Sequence, residues 1–285
     1  MKNLSILALI VLLSSCNTSN KKTSEEPTTK EDTLNTIPVE PDGGIGDGAF
    51  SLEKQFLQNI ESAHKKPAFL DHKMITFDAV INFNGKTILD AKITMLTNSS
   101  KIRIDKKDGT KLIYNGDKVM LCPKEASDKR ARFDMFTWSY FFALPYKLSD
   151  PGTALEVKQD RSLDGENYAT AKLTFDKGTG DAPDDWYIVY VNPENNVVTA
   201  AAYIVTYGSG DDISKAESDP HMIIYKDYAL IDNIPISTQW DFYSWTDDKG
   251  KTEKLGEAMI SDVVFLEENA TLFEEPDDYK EITLK

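Results

Sequence analysis

The chain has 285 residues, with 32 basic and 47 acidic side chains and a net charge of −15. An acidic body of this kind repels polyanions, which excludes nucleic acid as a partner and disfavours flat adsorption on anionic lipid head groups. The length is enough for a sizeable core, so stability does not need disulfides.

Lys2 and Asn3 precede an apolar run over residues 4–13. That run is too short to span a bilayer as a helix, which takes ~20 residues, and it has the layout of a cleavable export signal. The segment Leu13-Ser14-Ser15-Cys16 resembles the lipobox of bacterial lipoproteins. The resemblance implies removal of residues 1–15 and acylation of Cys16, as a thioether-linked diacylglycerol plus an acylated amine such as a palmitoyl amide. One acyl chain binds a membrane marginally and two or more anchor stably, so a membrane partner through Cys16 is expected. Asn17, not Asp, follows the cysteine, so the enterobacterial inner-membrane retention signal is absent. The expected site is the outer membrane facing the periplasm, with the cell surface as the other possible face. With Cys16 acylated, Cys122 lacks a disulfide partner. It ends the apolar run Val119-Met120-Leu121-Cys122 and reads as a buried small hydrophobe.

Residues 16–49 comprise the acylated cysteine and a stretch rich in Thr, Ser, Glu, Lys, Pro and Gly. So little apolar surface cannot offset ordering entropy, and a disordered tether reaching ~30 Å is expected. Residues 50–285 are expected to form one domain. It begins with a helix carrying Ala49, Leu52, Phe56, Ile60 and Ala63 on one stripe, capped by Asp47 and stopped near His64 and Pro67. The period then becomes two. Ile75, Phe77, Ala79, Ile81 and Phe83 alternate with polar positions, Asn84-Gly85 is a hairpin signal, and strands follow to residue 122. Residues 131–148 hold seven aromatics in a helical segment ending at Pro145 and Ser149 to Gly152. Strands resume over 154–159, 167–175, 186–191, 197–207, 221–230, 236–245 and 257–266.

The Asn84-Gly85 hairpin between long alternating strands, and the run from Trp186 to Pro193 leading into Val197 to Tyr207, give the chain a resemblance to the LolA/LolB-like lipoprotein-carrier superfamily over residues 50–285. It is most similar to that group's uncharacterised lipid-anchored members. The resemblance implies a mainly β fold with a few helices: a curved antiparallel sheet, an unclosed β-barrel, with helices covering its concave face. In the carriers, acyl chains bind between sheet and helices.

Enzyme signatures are missing. Gly85-Lys86-Thr87 and Gly250-Lys251-Thr252 lack the glycine a phosphate loop needs five residues earlier, where Val80 and Trp245 stand. No serine sits in a G-x-S-x-G elbow. His64 and His72 lack the spacing of a helical zinc pair, and His64, His72 and His221 read as exposed or locally capped. The acidic loops at Asp181, Asp184 and Asp185, at Asp211 and Asp212, and at Asp247 and Asp248 read as solvated turns rather than Ca²⁺ loops.

The expected function is therefore non-enzymatic: a lipid-anchored, monomeric envelope protein binding a lipid or other hydrophobic ligand in an apolar cavity, without cofactor or metal. Phe136, Trp138, Phe141 and Phe142 would form one wall, opposed by Ile75, Phe77, Ile81 and Phe83. A filled core over the same residues is the competing reading, because interiors leave few voids. The protein would then be an interaction or scaffold lipoprotein using Trp240, Tyr243 and Trp245 as surface aromatics. A third reading is a metal-dependent hydrolase using His64 and His72.

Overall fold

The computed structural model describes residues 51–284. Cys16, the export signal, the tether, Asp47, Ala49 and Phe50 lie outside the described residues. Helix α1 spans Leu52–Ala63, and its cap is Ser51, whose hydroxyl accepts the Lys54 N–H at 3.3 Å. Lys65 at φ 55° breaks the helix, and a short second one, α2 (Lys66–Asp71), begins there. Pro67 sits in its first turn, where a missing N–H costs nothing. Pro67 therefore opens α2 and does not close α1, which already ends at Ala63.

Strand alternation then builds a meander of β1 (Met74–Phe83), β2 (Lys86–Leu96), β3 (Ile102–Lys106), β4 (Lys111–Tyr114) and β5 (Val119–Cys122). Asn84 and Gly85, at φ 49° and 72°, make the expected two-residue turn. Helix α3 (Ala131–Lys147) follows. A second meander runs through β6 (Thr153–Leu163), β7 (Glu166–Phe175), β8 (Tyr187–Val191), β9 (Val198–Tyr203), the single-turn α4 (Ser214–Glu217), β10 (His221–Ile231), β11 (Ile234–Thr246) and β12 (Gly250–Leu266). β12 starts seven residues before its expected position, because its opening residues Lys251 to Lys254 are polar and mostly exposed and lack an apolar alternation.

β12 pairs with β1 and fuses the two meanders into one antiparallel sheet of 13 strands, ordered β13-β5-β4-β3-β2-β1-β12-β11-β10-β9-β8-β7-β6. The edge strand β13 (Lys280–Ile282) is three residues long, has no alternation to announce it, and was not anticipated. The sheet curves without closing, and the helices cover its concave face, as the carrier resemblance implied. At the seam Phe83 faces Gly256. A Cβ there would sit 2.3 Å from the Asn82 carbonyl oxygen, so only glycine allows this approach.

The concave face is packed by α3. Phe142 stacks on Phe77 at 4.0 Å between ring centres, and Trp138 and Phe141 pack on Phe242 of β11 at 6.1 and 5.9 Å. Phe69 of α2 stacks on Tyr146 at 3.7 Å. Pro145 lies inside the last turn of α3 and does not end it. It cannot donate to the Phe141 carbonyl, and the Tyr225 hydroxyl supplies that hydrogen bond instead, at 2.8 Å. At the other end of the helix, the buried Asp134 accepts from Lys106 at 2.9 Å and from the Trp138 indole at 3.0 Å.

Candidate functional site

The aromatic segment of α3 has two roles on two faces. One face plugs the sheet. The other borders a cleft of about 420 Å³, closed by β8, β9 and the loop between β7 and β8. A void of this size is far larger than packing defects and falls within the ~300–1,000 Å³ of small-molecule sites. Its walls include nine aromatic side chains: Phe133, Phe136, Tyr140 and Phe141 from α3, Tyr114 at the end of β4, Phe175 of β7, Tyr187 of β8, Tyr203 of β9, and Tyr207. Tyr140 packs on Tyr187 at 5.5 Å, Tyr187 stacks on Tyr203 at 5.9 Å, and Phe133 meets Tyr207 edge-on at 5.8 Å.

The eight residues expected to line a cavity are divided by this arrangement. Phe136 and Phe141 line the cleft. Ile75, Phe77 and Ile81 are fully buried, and Trp138 and Phe142 nearly so, in the packed core. Phe83 is partly buried against that core. The physical reason is the stacked contact of Phe142 on Phe77, which leaves no space between β1 and the helix. The open side lies one helix face away, toward β7, β8 and β9. Strand β9 ends at Tyr203, short of the expected 207, so that Val205 and Tyr207 leave the sheet and form part of the cleft wall.

Two polar devices hold the loop over the cleft. Arg132 grips Asp181 with one edge of its guanidinium, Nη2 to Oδ1 at 2.8 Å and Nε to Oδ2, and donates Nη1 to the Ile282 carbonyl at 3.1 Å. Its guanidinium also lies over the Phe136 ring at 5.3 Å. Asp185 accepts both the backbone N–H and the hydroxyl of Thr206 on Oδ1, each at 2.7 Å. Burial pushes the Asp185 carboxyl up to about 6, the Thr206 hydrogen bonds pulling the other way and the Asp184 charge adding to the rise. Asp181 and Asp185 were read as parts of a solvated turn. Both line the cleft instead. At the rim Gly152, at φ +84°, lies so close to Thr179 that a Cβ would meet its hydroxyl at 2.5 Å.

The histidines do not assemble. His64 is fully buried, not exposed, and its Nε2 accepts the Val198 N–H at 2.9 Å. Burial lowers its pKa to about 4. His72 stacks on Phe265 at 3.9 Å, and His221 lies against Tyr203 at 5.9 Å. Among the described residues no three His, Cys, Asp or Glu side chains come together as a metal site. Trp240 and Trp245 are buried rather than surface aromatics, and the Trp245 indole donates to the Tyr190 hydroxyl at 3.2 Å. Cys122 is buried, as expected, and its thiol is pushed up by that burial.

The fold is similar to that of a LolA superfamily protein from Nitrosomonas europaea, with a TM-score of 0.52 and 11% identity over 79% of this chain and 99% of that one. A domain described as an outer membrane lipoprotein-sorting protein from Vibrio parahaemolyticus aligns with a TM-score of 0.44 and 12% identity, covering 74% of this chain and 93% of its own. At such identities the first likeness establishes the fold alone. No curated protein sequence matches the chain. The profile of a family of unknown function, DUF6503, matches residues 82–258, more than half of the sequence, and the chain belongs to that family.

Proposed function

We propose that this DUF6503 protein is a non-enzymatic, lipid-anchored envelope protein that binds a lipid or other hydrophobic ligand in the aromatic cleft beside α3. The observation that carries the reading is the cleft itself: about 420 Å³ bounded by nine aromatic side chains, beside a packed apolar core. Burial of a ligand's apolar surface there contributes about 25 cal/mol per Å², without any catalytic group. The fold shared with a LolA superfamily protein is consistent with a carrier-type role. Anchoring through Cys16, by the lipobox resemblance, would hold the cleft near a membrane that supplies or receives the ligand.

Native mass spectrometry of the chain from Asn17 onward, purified without detergent, tests the binding claim. The expected result is a bound lipid mass, or uptake of one equivalent of added lipid, that is lost in Thr137→Trp. Thr137 lines the cleft half-buried, so a large side chain there fills the space from the wall. A ligand-free protein that takes up no lipid would contradict the reading. The anchor is tested separately: Cys16→Ser should abolish incorporation of labelled palmitate and release the protein from membranes, and retention of either would overturn it.

A further inference from the structure

The charge and hydroxyl pattern of the cleft goes further than "hydrophobic ligand". Its lining carries four carboxylates, Asp117, Asp150, Asp181 and Asp185, and two cations, Arg132 and Lys147. Both cations are committed: Arg132 to Asp181, and Lys147 to Asp150 at 2.5 Å. A ligand carboxylate would therefore find no uncommitted cation among the described lining residues. It would find Asp185, which has no cationic partner there and uses only Oδ1 for Thr206.

Beside Asp185 stand phenols without partners. The hydroxyls of Tyr187 and Tyr203 make no hydrogen bond among the described residues, although both side chains line the cleft and are nearly buried. The Tyr140 hydroxyl is buried and likewise unpartnered. The Asp185 charge reaches all three, adding to the upward push that burial gives each phenol. A buried hydroxyl without a partner is costly, as at Tyr140, and the unpartnered Tyr187 and Tyr203 hydroxyls on the cleft wall are open to a polar group of a ligand. Asp185 accepts when ionised, which selects a donor, and the remaining walls are aromatic.

Resting on the proposed ligand-binding role, we infer that the cleft takes a single-chain amphiphile whose polar end is a hydrogen-bond donor without negative charge, a hydroxyl or an amine, seated at Asp185, Tyr187 and Tyr203. A free fatty acid is discriminated against. Its ionised head would lie beside Asp185, and placing two like charges together requires one of them to take up a proton.

The test is displacement of N-phenyl-1-naphthylamine, a neutral fluorophore, from the chain beginning at Asn17, which keeps the whole compact unit Phe50–Lys285. Competitors are monolaurin, laurylamine and lauric acid at pH 7.5. Monolaurin and laurylamine are expected to compete at least about tenfold better than laurate, the equivalent of one lost or repelled polar contact. Asp185→Asn, which keeps an acceptor oxygen for Thr206, should narrow that ratio at least about fivefold by admitting laurate. The double variant Tyr187→Phe/Tyr203→Phe should weaken monolaurin while the fluorophore still binds. Equal competition by laurate in the parent protein, or an unchanged ratio in Asp185→Asn, would overturn the head-group assignment and leave the cleft's ligand-binding role standing. Failure of the fluorophore and of every competitor to bind would overturn that role itself, and the head-group assignment with it.

Discussion

At the scale of single residues, the buried Tyr225 and the half-buried Asp185 make separable predictions. The Tyr225 hydroxyl takes the place of the N–H that Pro145 lacks. Tyr225→Phe leaves the Phe141 carbonyl without a donor inside the core, and should lower unfolding free energy by ~1–3 kcal/mol, read as a shift in the urea midpoint at unchanged slope. Asp185 gives a pH signature. Its folded pKa, about 6, stands above the ordinary 3.8. Between those values the folded protein holds the proton more tightly than the unfolded chain, so this group's contribution falls as pH rises and levels off above about 6. His64 works in the opposite direction. Its pKa is lowered to about 4, so its contribution is present near neutrality and lost as pH falls toward that value. The two overlap, so the informative quantity is the stability of the parent minus that of Asp185→Asn. That difference should decrease by roughly 1–3 kcal/mol from pH 4 to pH 7; a difference flat with pH would contradict a proton-holding Asp185.

At the scale of elements, the β1–β12 seam and helix α3 determine where the cleft lies. Because Gly256 meets the Asn82 carbonyl and the Phe83 ring, Gly256→Ala forces the two strands apart where the meanders join. A loss of roughly 1–3 kcal/mol is expected, more than for Gly85→Ala, whose Cβ meets nothing and whose cost is confined to its positive φ. Thermal unfolding of both variants makes the comparison; equal Tm values would mean that the seam is not closely packed. The strands around these points were legible because alternation and turn pairs such as Asn84-Gly85 are local signals. The misses are non-local. Pro145 reads as a helix end until Tyr225, 80 positions away, is seen to replace its hydrogen bond. The strand expected over 197–207 stops at Tyr203, and beyond it Thr206 donates its N–H and hydroxyl to Asp185 instead of continuing the sheet. β13 exists because β5 offers an edge, not because Lys280 to Ile282 prefer a strand.

At the scale of the whole molecule, the sheet with helices over its concave face was readable from element order and resemblance, and the aromatic segment borders the cleft proposed here as the ligand site. Which of its faces meets open space was not readable. Helical periodicity showed the segment to be apolar on most sides, and that pattern cannot distinguish the face stacked on Phe77 from the face opposite Tyr187 and Tyr203. Of the acidic residues of the β7–β8 loop, Asp184 is exposed, as a solvated turn requires, whereas Asp181 and Asp185 line the cleft. The bidentate partner of Asp181 is 49 residues away, a pairing that sequence spacing does not reveal. In the proposed function the ligand sits on the outward face of α3 and not on the β1 side. Photolabelling with a diazirine-bearing monoacylglycerol, followed by peptide mapping, tests it most directly. Labels are predicted on peptides containing Phe136 and Tyr140, the loop through Asp185, and Tyr203 to Tyr207. Labels concentrated instead on β1 around Ile75 to Phe83, or no labelling above that of Thr137→Trp, would contradict it.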